Sequence, residues 1–121
     1  LKRCSHAYSL EMEDQMSYDL KWSPLTNSST AALIAEEPVK SAFVYTSMAS
    51  LNESIFLGYL AMYSGGGYIF NLGDDPDSVV PNLDELQRLG WIDHFTRAIF
   101  VELSVWNANS NLMSSLTLCL E

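Results

Sequence analysis

Three aspartates stand close together in the chain, and closely spaced carboxylates can bind calcium. Asp74, Asp75 and Asp77 lie in the segment GDDPDS. Calcium is bound by several carboxylate and carbonyl oxygens at defined spacing, and this segment lacks the acidic ladder, central glycine and distal glutamate of an EF-hand loop. We therefore interpret it as a solvated acidic loop that leads into a helix, and we expect no metal there.

Other residue combinations that could carry chemistry are incomplete. Strand-forming residues follow Gly65-Gly66-Gly67, whereas a phosphate loop needs a helix N-terminus, so the glycines predict a hairpin turn. The histidines, His6 and His94, lack the ligand spacing of a zinc site. The chain also has no Gly-x-Ser-x-Gly segment that would place a nucleophile on a sharp turn. These patterns predict that the protein is not an enzyme and uses no cofactor.

Charge and composition restrict the class of protein further. The 121 residues include 15 Asp and Glu against 6 Lys and Arg, which gives a net charge of −9. Such a surface repels phosphate backbones, so we expect no nucleic-acid partner. With 48% hydrophobic and 12% aromatic residues, the chain has the composition of one folded domain over residues 1–121.

The polar residues indicate an extracellular setting. Asn27 and Asn52 each begin an Asn-x-Ser tripeptide in polar surroundings, which fits an extracellular or luminal domain; together with the family resemblance given below, they predict N-linked glycans on both. Cys4 and Cys119 are too few for a disulfide framework. They could form one disulfide, and a buried free thiol at Cys119 is an equal alternative.

The last third of the chain predicts a hairpin. Period-two alternation indicates a strand over residues 98–106, and a second alternation follows an Asn-rich loop predicted at residues 107–110. The second strand places Leu112, Leu116, Leu118 and Leu120 on one face. If the two apolar faces coincide, paired residues must have opposite parity, and Val101 opposite Leu116 satisfies this condition.

Upstream patterns complete the predicted fold. Asn82 and Glu85 predict a helix N-terminus with a capping box, and Gly90 predicts its end. Residues 55–63 are apolar on both faces and predict a central strand, while residues 42–46 predict a shorter one. The fold class is therefore α+β: an antiparallel sheet of about four to five strands with helices packed on one face.

Three segments resemble, in order, the extracellular domain of the polycystins, a family of ciliary cation-channel proteins related to TRP channels. WIDHFTRAIFVELSVWNANSNL, at residues 91–112, is similar to the segment that closes that domain. YSGGGYIFNLG at residues 63–73 and CSHAYSLEMED at residues 4–14 resemble two earlier stretches, and their wording favours the polycystin-1-like branch. The chain departs from the family at residues 113–115, where Met-Ser-Ser replaces a Phe and further apolar residues.

The resemblance also draws attention to four residues with structural or interface roles. Trp91, Asp93, Arg97 and Glu102 match the family wording. We interpret Trp91 as a core aromatic residue. If residues 91–97 form a helical turn, Asp93 and Arg97 lie one turn apart and form an ion pair; the alternative is that Arg97 contacts a neighbouring subunit.

The family implies a non-enzymatic function. Its extracellular domains form a four-part lid above the pore and contribute to assembly and gating, and the membrane helices of the channel flank the domain. We therefore expect an excised piece of a channel subunit, on the extracellular side of the plasma or ciliary membrane, that assembles with other polycystin subunits, including polycystin-2-type subunits, in a tetramer. The alternatives are a ligand-binding or adhesion ectodomain of a membrane receptor and, last, a small secreted hydrolase.

Overall fold

The computed structural model describes residues 7–25 and 37–121. Within these ranges three α-helices occur: α1 (Pro38–Ser41), α2 (Met48–Leu51) and α3 (Pro76–Arg88). The same ranges hold eight strands: β1 (Tyr18–Asp19), β2 (Ser23–Pro24), β3 (Tyr45–Thr46), β4 (Phe56–Leu57), β5 (Met62–Tyr63), β6 (Gly67–Tyr68), β7 (Ile99–Asn107) and β8 (Leu112–Leu120). None of the helices in the described ranges has the length and apolar character needed to cross a bilayer.

The strands pair as four separate two-stranded antiparallel sheets: β1–β2, β3–β6, β4–β5 and β7–β8. The predicted mixture of helices and antiparallel strands is confirmed, but the single sheet of four to five strands is wrong. The first six strands are two residues long, against a usual length of five or six. The two long strands, β7 and β8, pair with each other, and in the described residues no further strand joins them.

The buried core is small and lies between helices. Ala42, Phe43, Leu86 and Leu89 form one buried cluster, which joins the end of α1 to one face of α3. Six half-buried side chains surround it: Tyr18, Leu20, Trp22, Val39, Phe70 and Trp91. The apolar face of α3 therefore packs on α1 and the residues that follow it, rather than on a broad sheet as predicted.

Helix α3 begins earlier than its sequence pattern suggests. The Asp75 side chain accepts a hydrogen bond from the Asp77 N–H at 3.1 Å, and Pro76 occupies the first turn. Proline suits that position because its φ angle is helical and the missing N–H would have no partner there. The acidic segment is therefore a helix cap and first turn, as well as a solvated loop.

The predicted cap at Asn82 is wrong, because Asn82 lies inside α3. Glu85, its supposed capping partner, instead forms an exposed ion pair with Arg88. The predicted end of the helix is correct: Gly90 follows with φ +69°, a left-handed conformation that glycine adopts easily.

Residues 55–63 form a tight hairpin in place of the predicted central strand. The chain reverses after Leu57, and the Gly58 N–H donates to the Ala61 carbonyl at 2.9 Å. The apolar side chains on both faces are therefore mostly exposed: Ile55, Leu57, Tyr59, Leu60 and Met62.

The three glycines at residues 65–67 do not form a hairpin turn, because the next strand, β6, pairs with the distant β3. They allow the backbone to approach its neighbours closely instead. A Cβ atom on Gly65 would lie 2.6 Å from the Ser54 carbonyl oxygen, and one on Gly66 would lie 2.9 Å from the Met48 nitrogen. Glycine is required at these two positions because a side chain would clash with neighbouring backbone atoms. The predicted reason was a hairpin turn.

The β7–β8 hairpin confirms the predicted parity but not the predicted register. Val101 pairs with Leu118, and Leu103 pairs with Leu116, so the predicted pairing of Val101 with Leu116 is displaced by two residues. The loop contains four residues, as predicted, but it runs from Ala108 to Asn111. The apolar faces still coincide because a shift of two residues preserves the face of every side chain.

Candidate interaction surface

The β7–β8 hairpin exposes many large apolar side chains to solvent. Residues 101–118 of the hairpin are all exposed, and only Ile99, Phe100 and Cys119, at its open end, are half-buried. One face carries seven exposed apolar side chains: Val101, Leu103, Val105, Leu112, Leu116, Leu118 and Leu120. We call this set the hairpin face. A contiguous apolar surface of this kind marks an interaction site in a folded protein.

The opposite face of the hairpin is mixed. Glu102 pairs with Thr117, and Trp106 pairs with Met113, of which Trp106 is 65% exposed. Between Ile99 and Thr117 the hairpin contains one ionisable residue, Glu102. Glu102 lies on the opposite side of the hairpin from the hairpin face. The hairpin face therefore carries no charged side chain in that range, which suits an uncharged apolar partner.

The open end of the hairpin is attached to the β4–β5 turn. The Phe100 ring makes edge contacts with Phe56 at 4.8 Å and with Tyr63 at 5.9 Å between centroids. The Glu121 carboxylate accepts hydrogen bonds from the Tyr59 N–H at 2.8 Å and the Leu60 N–H at 2.9 Å. These contacts fix the hairpin to the rest of the domain at its base.

Charge-assisted bonding changes the acidity of Glu121. Partial burial raises the pKa of the carboxyl group, but the hydrogen bonds from the Leu60 N–H, the Tyr63 hydroxyl and the neighbouring turn N–H groups outweigh it. The pKa therefore lies below its usual value, since these donors favour the ionised form.

A short turn leads into β7. The Asp93 carboxylate accepts from the N–H groups of Phe95 at 2.8 Å and Thr96 at 3.2 Å, while the Thr96 hydroxyl accepts from the Asp93 N–H at 3.0 Å. Asp93 thus has the bonding pattern of a capping residue. Arg97 follows with an exposed side chain, and its predicted ion pair with Asp93 remains a prediction.

Trp91 lies at the start of the same turn and contacts the core, in agreement with its interpretation as a core aromatic residue. Its indole N–H donates to the Ala42 carbonyl at 2.8 Å, and its ring packs edge-on against Phe70. Trp22 makes a matching contact, since its indole N–H donates to the Gly90 carbonyl at 2.9 Å. Two indoles therefore hold the end of α3 and the start of the turn in place.

The predicted glycosylation sites lie apart from the hairpin face in sequence. Asn52 is exposed at the C-terminus of α2 with φ +56°, a left-handed conformation that asparagine tolerates. Asn27 and Cys4 lie outside the described residues. Cys119 is half-buried in β8, and burial raises the pKa of its thiol. The glycans and the Cys4–Cys119 disulfide remain predictions.

Within residues 7–25 and 37–121 no group of three or more His, Cys, Asp or Glu side chains has the arrangement of a metal site. The His94 ring stacks at 3.9 Å from Phe95. His6 lies outside the described residues.

A cluster of tyrosines and carboxylates that the sequence patterns do not predict lies around Glu13 and Asp14. The Tyr18 hydroxyl donates to the Asp14 carboxylate at 2.6 Å, and this bond, with burial, raises the pKa of Tyr18 to about 12. Glu13 accepts from the Ser64 hydroxyl at 2.9 Å and from the Tyr45 hydroxyl at 3.5 Å. The partners of Glu13 lie 32 and 51 positions away in the sequence, so spacing could not predict those two contacts.

Comparison with known proteins places these features in a family. The family model described as the polycystin domain matches residues 1–121. Polycystin-1-like protein 3 of Mus musculus is 38% identical over 109 residues, which cover 90% of this chain and 5% of that protein. Polycystin-2 of Danio rerio is 35% identical and polycystin-2-like protein 1 of Homo sapiens is 39% identical, each over 80 residues or 66% of this chain.

The match to these two proteins covers 9% and 10% of their lengths, so the chain corresponds to a small part of each relative. The longer match to the polycystin-1-like relative agrees with the predicted branch. The family predicted from the three sequence segments is confirmed: the chain belongs to the polycystin family, and its residues form a polycystin domain.

Proposed function

We propose that this domain lies on the extracellular side of a membrane-embedded polycystin channel subunit and binds neighbouring subunits through the hairpin face. The observation that carries the proposal is the exposure of that face, where Val105 is 55% exposed and Leu112 is 64% exposed. Leaving such side chains in water is unfavourable by about 25 cal/mol per Å². A covering partner removes that cost.

The chemistry of the face suits a protein partner of the same family. Subunit interfaces bury apolar centres surrounded by polar residues, and here a row of leucines lies beside the polar loop Ala108–Asn111. In this proposal the domains form a tetrameric lid that contributes to assembly and gating, with polycystin-2-type subunits among the partners. N-linked glycans at Asn27 and Asn52 complete the extracellular surface.

The proposal is tested in the full-length parent protein with Leu116→Asp. A charge on the hairpin face opposes burial, and we expect the tetramer fraction to fall by tenfold or more in native gels of detergent-solubilised protein. Ser115→Asp is the matched control, because Ser115 is exposed on the opposite face and the charge change is the same. Equal assembly of both variants and the wild type would exclude the hairpin face as a subunit interface.

A further inference from the structure

An open groove of about 350 Å³ lies between the first described segment and helix α2. Its polar floor consists of Glu13, Tyr45 and Ser64, and its apolar walls include Leu10, Met48 and Ile55. We call it the Glu13 groove. It is remote in sequence from the hairpin face and plays no part in the function proposed above.

The carboxylate in the floor is held in one orientation. The Ser64 hydroxyl donates to Glu13 Oε1 at 2.9 Å, and the Tyr45 hydroxyl approaches Oε2 at 3.5 Å. Ser64 is itself fixed, because its hydroxyl oxygen accepts from the Gly66 N–H at 3.0 Å. A carboxylate held in this way is prepared to receive a ligand without further loss of side-chain freedom.

The hydrogen-bond donors that the structure places on the Glu13 carboxylate carry no positive charge. Lys40 pairs with Glu37, and Arg88 pairs with Glu85. Both groups that donate to Glu13 are neutral hydroxyls. The net charge of −9 adds a favourable potential for a basic partner.

The two hydroxyl donors on Glu13 also determine whether a lysine or an arginine side chain fits the carboxylate better. Each Glu13 oxygen already has one hydroxyl partner, and a carboxylate oxygen accepts about two hydrogen bonds. An arginine fork needs both oxygens in its own plane, whereas a lysine ammonium is a point charge that adapts to the remaining lone pairs. The apolar walls suit the four-carbon stem of a lysine.

We infer that the Glu13 groove binds a lysine side chain of a partner protein, with the ammonium group on the Glu13 carboxylate and the stem along Leu10, Met48 and Ile55. The groove is open to solvent, which suits a side chain inserted from a partner surface. Small-molecule sites enclose most of their ligand, and this groove does not.

The test is a titration of the isotope-labelled 121-residue chain with the peptide acetyl-Gly-Lys-Gly-amide, followed by NMR. A single partly exposed ion pair with one apolar stem gives a dissociation constant on the order of millimolar. We expect shifts at the amides of Tyr45, Met48 and Ser64. A peptide with uncharged norleucine in place of lysine should bind about twofold to fivefold more weakly.

Two variants complete the experiment. Glu13→Gln keeps the shape of the side chain and should weaken lysine binding about fivefold, while Glu11→Gln, an exposed residue with the same charge change, should bind as the wild type does. The norleucine comparison uses unaltered protein, so a folding defect in Glu13→Gln does not affect it. Equal binding of the lysine and norleucine peptides, equal binding of an arginine peptide, or shifts confined to other regions would overturn the inference.

Discussion

Asp93 and Thr96 each accept a hydrogen bond from the backbone N–H of the other, so the two residues close the turn that precedes β7. The family wording and the spacing of the two residues predict an ion pair between Asp93 and Arg97. The reciprocal bonds give Asp93 a separate structural role that does not need the arginine. They also explain why threonine stands between the two charged residues.

Replacing Thr96 by Val measures the contribution of the Thr96 hydroxyl to stability separately from that of the predicted Asp93–Arg97 ion pair. The variant removes the hydroxyl that bonds the Asp93 N–H and leaves both charged side chains in place. We expect the free energy of unfolding to fall by about 1 kcal/mol, with little dependence on salt. Urea unfolding at two salt concentrations measures both quantities. A larger effect of Arg97→Ala than of Thr96→Val would show that the ion pair dominates the turn.

Trp91→Phe tests the indole contact with the core. Ala42 is fully buried, so its carbonyl loses the Trp91 N–H without gaining water. An unsatisfied buried carbonyl costs about 1–3 kcal/mol, and thermal unfolding should show a corresponding fall in Tm. The control is Trp106→Phe, at an exposed position of the hairpin, where a change within about 0.5 kcal/mol is expected. Similar losses in the two variants would count against the contact.

The Glu121 contacts predict a dependence on pH. Because its pKa is lowered in the folded state from the usual value of 4.5, the stabilisation is complete above that value and is lost as pH falls through the folded pKa. The difference in stability between the wild type and Glu121→Gln should therefore shrink from pH 6 towards pH 3. The amides of Tyr59 and Leu60 should titrate together with the carboxyl group in NMR spectra. A difference that stays constant over this range would contradict the prediction.

Glycosylation is tested without disturbing either asparagine. Ser54→Ala removes the sequon at Asn52 but keeps Asn52 in its left-handed conformation, and Ser29→Ala removes the sequon at Asn27. Each variant, expressed in mammalian cells, should migrate faster by one glycan, and the double variant by two. Enzymatic deglycosylation should bring all forms to one mobility. Unchanged migration of a single variant would show that its sequon is unoccupied.

Local patterns predicted the hairpin faces and the end of α3, because alternation and a terminal glycine act over a few residues. They failed at the start of α3, because the Asn82–Glu85 capping pattern lies inside a helix that begins at Pro76 and continues through Pro81. Pro81 is exposed, so water can reach the carbonyl that lacks its helical partner. The predicted hairpin register was wrong because side-chain alternation determines only which face a residue lies on, while the loop determines which residues pair. Here Asn111 adopts φ +51° and the loop ends one position later than predicted.

Contacts between distant segments could not be predicted from either periodicity or spacing. The pairing of Tyr45 with Tyr68, the Glu13 groove and the bonds from Glu121 to the β4–β5 turn each depend on the folded path of the chain. The four residues matched to the family were found from sequence wording, whereas Thr96 and Glu121 acquire their roles only from geometry.

The β7–β8 hairpin has a mechanical consequence. A nine-residue strand at about 3.4 Å per residue extends roughly 30 Å, and its half-buried residues are all at the open end. The hairpin is therefore a long arm that projects from the domain and is held at its base by Phe100 and Glu121. A force applied at the Asn-rich tip becomes a torque on the β4–β5 turn, where the Glu121 carboxylate holds two backbone N–H groups.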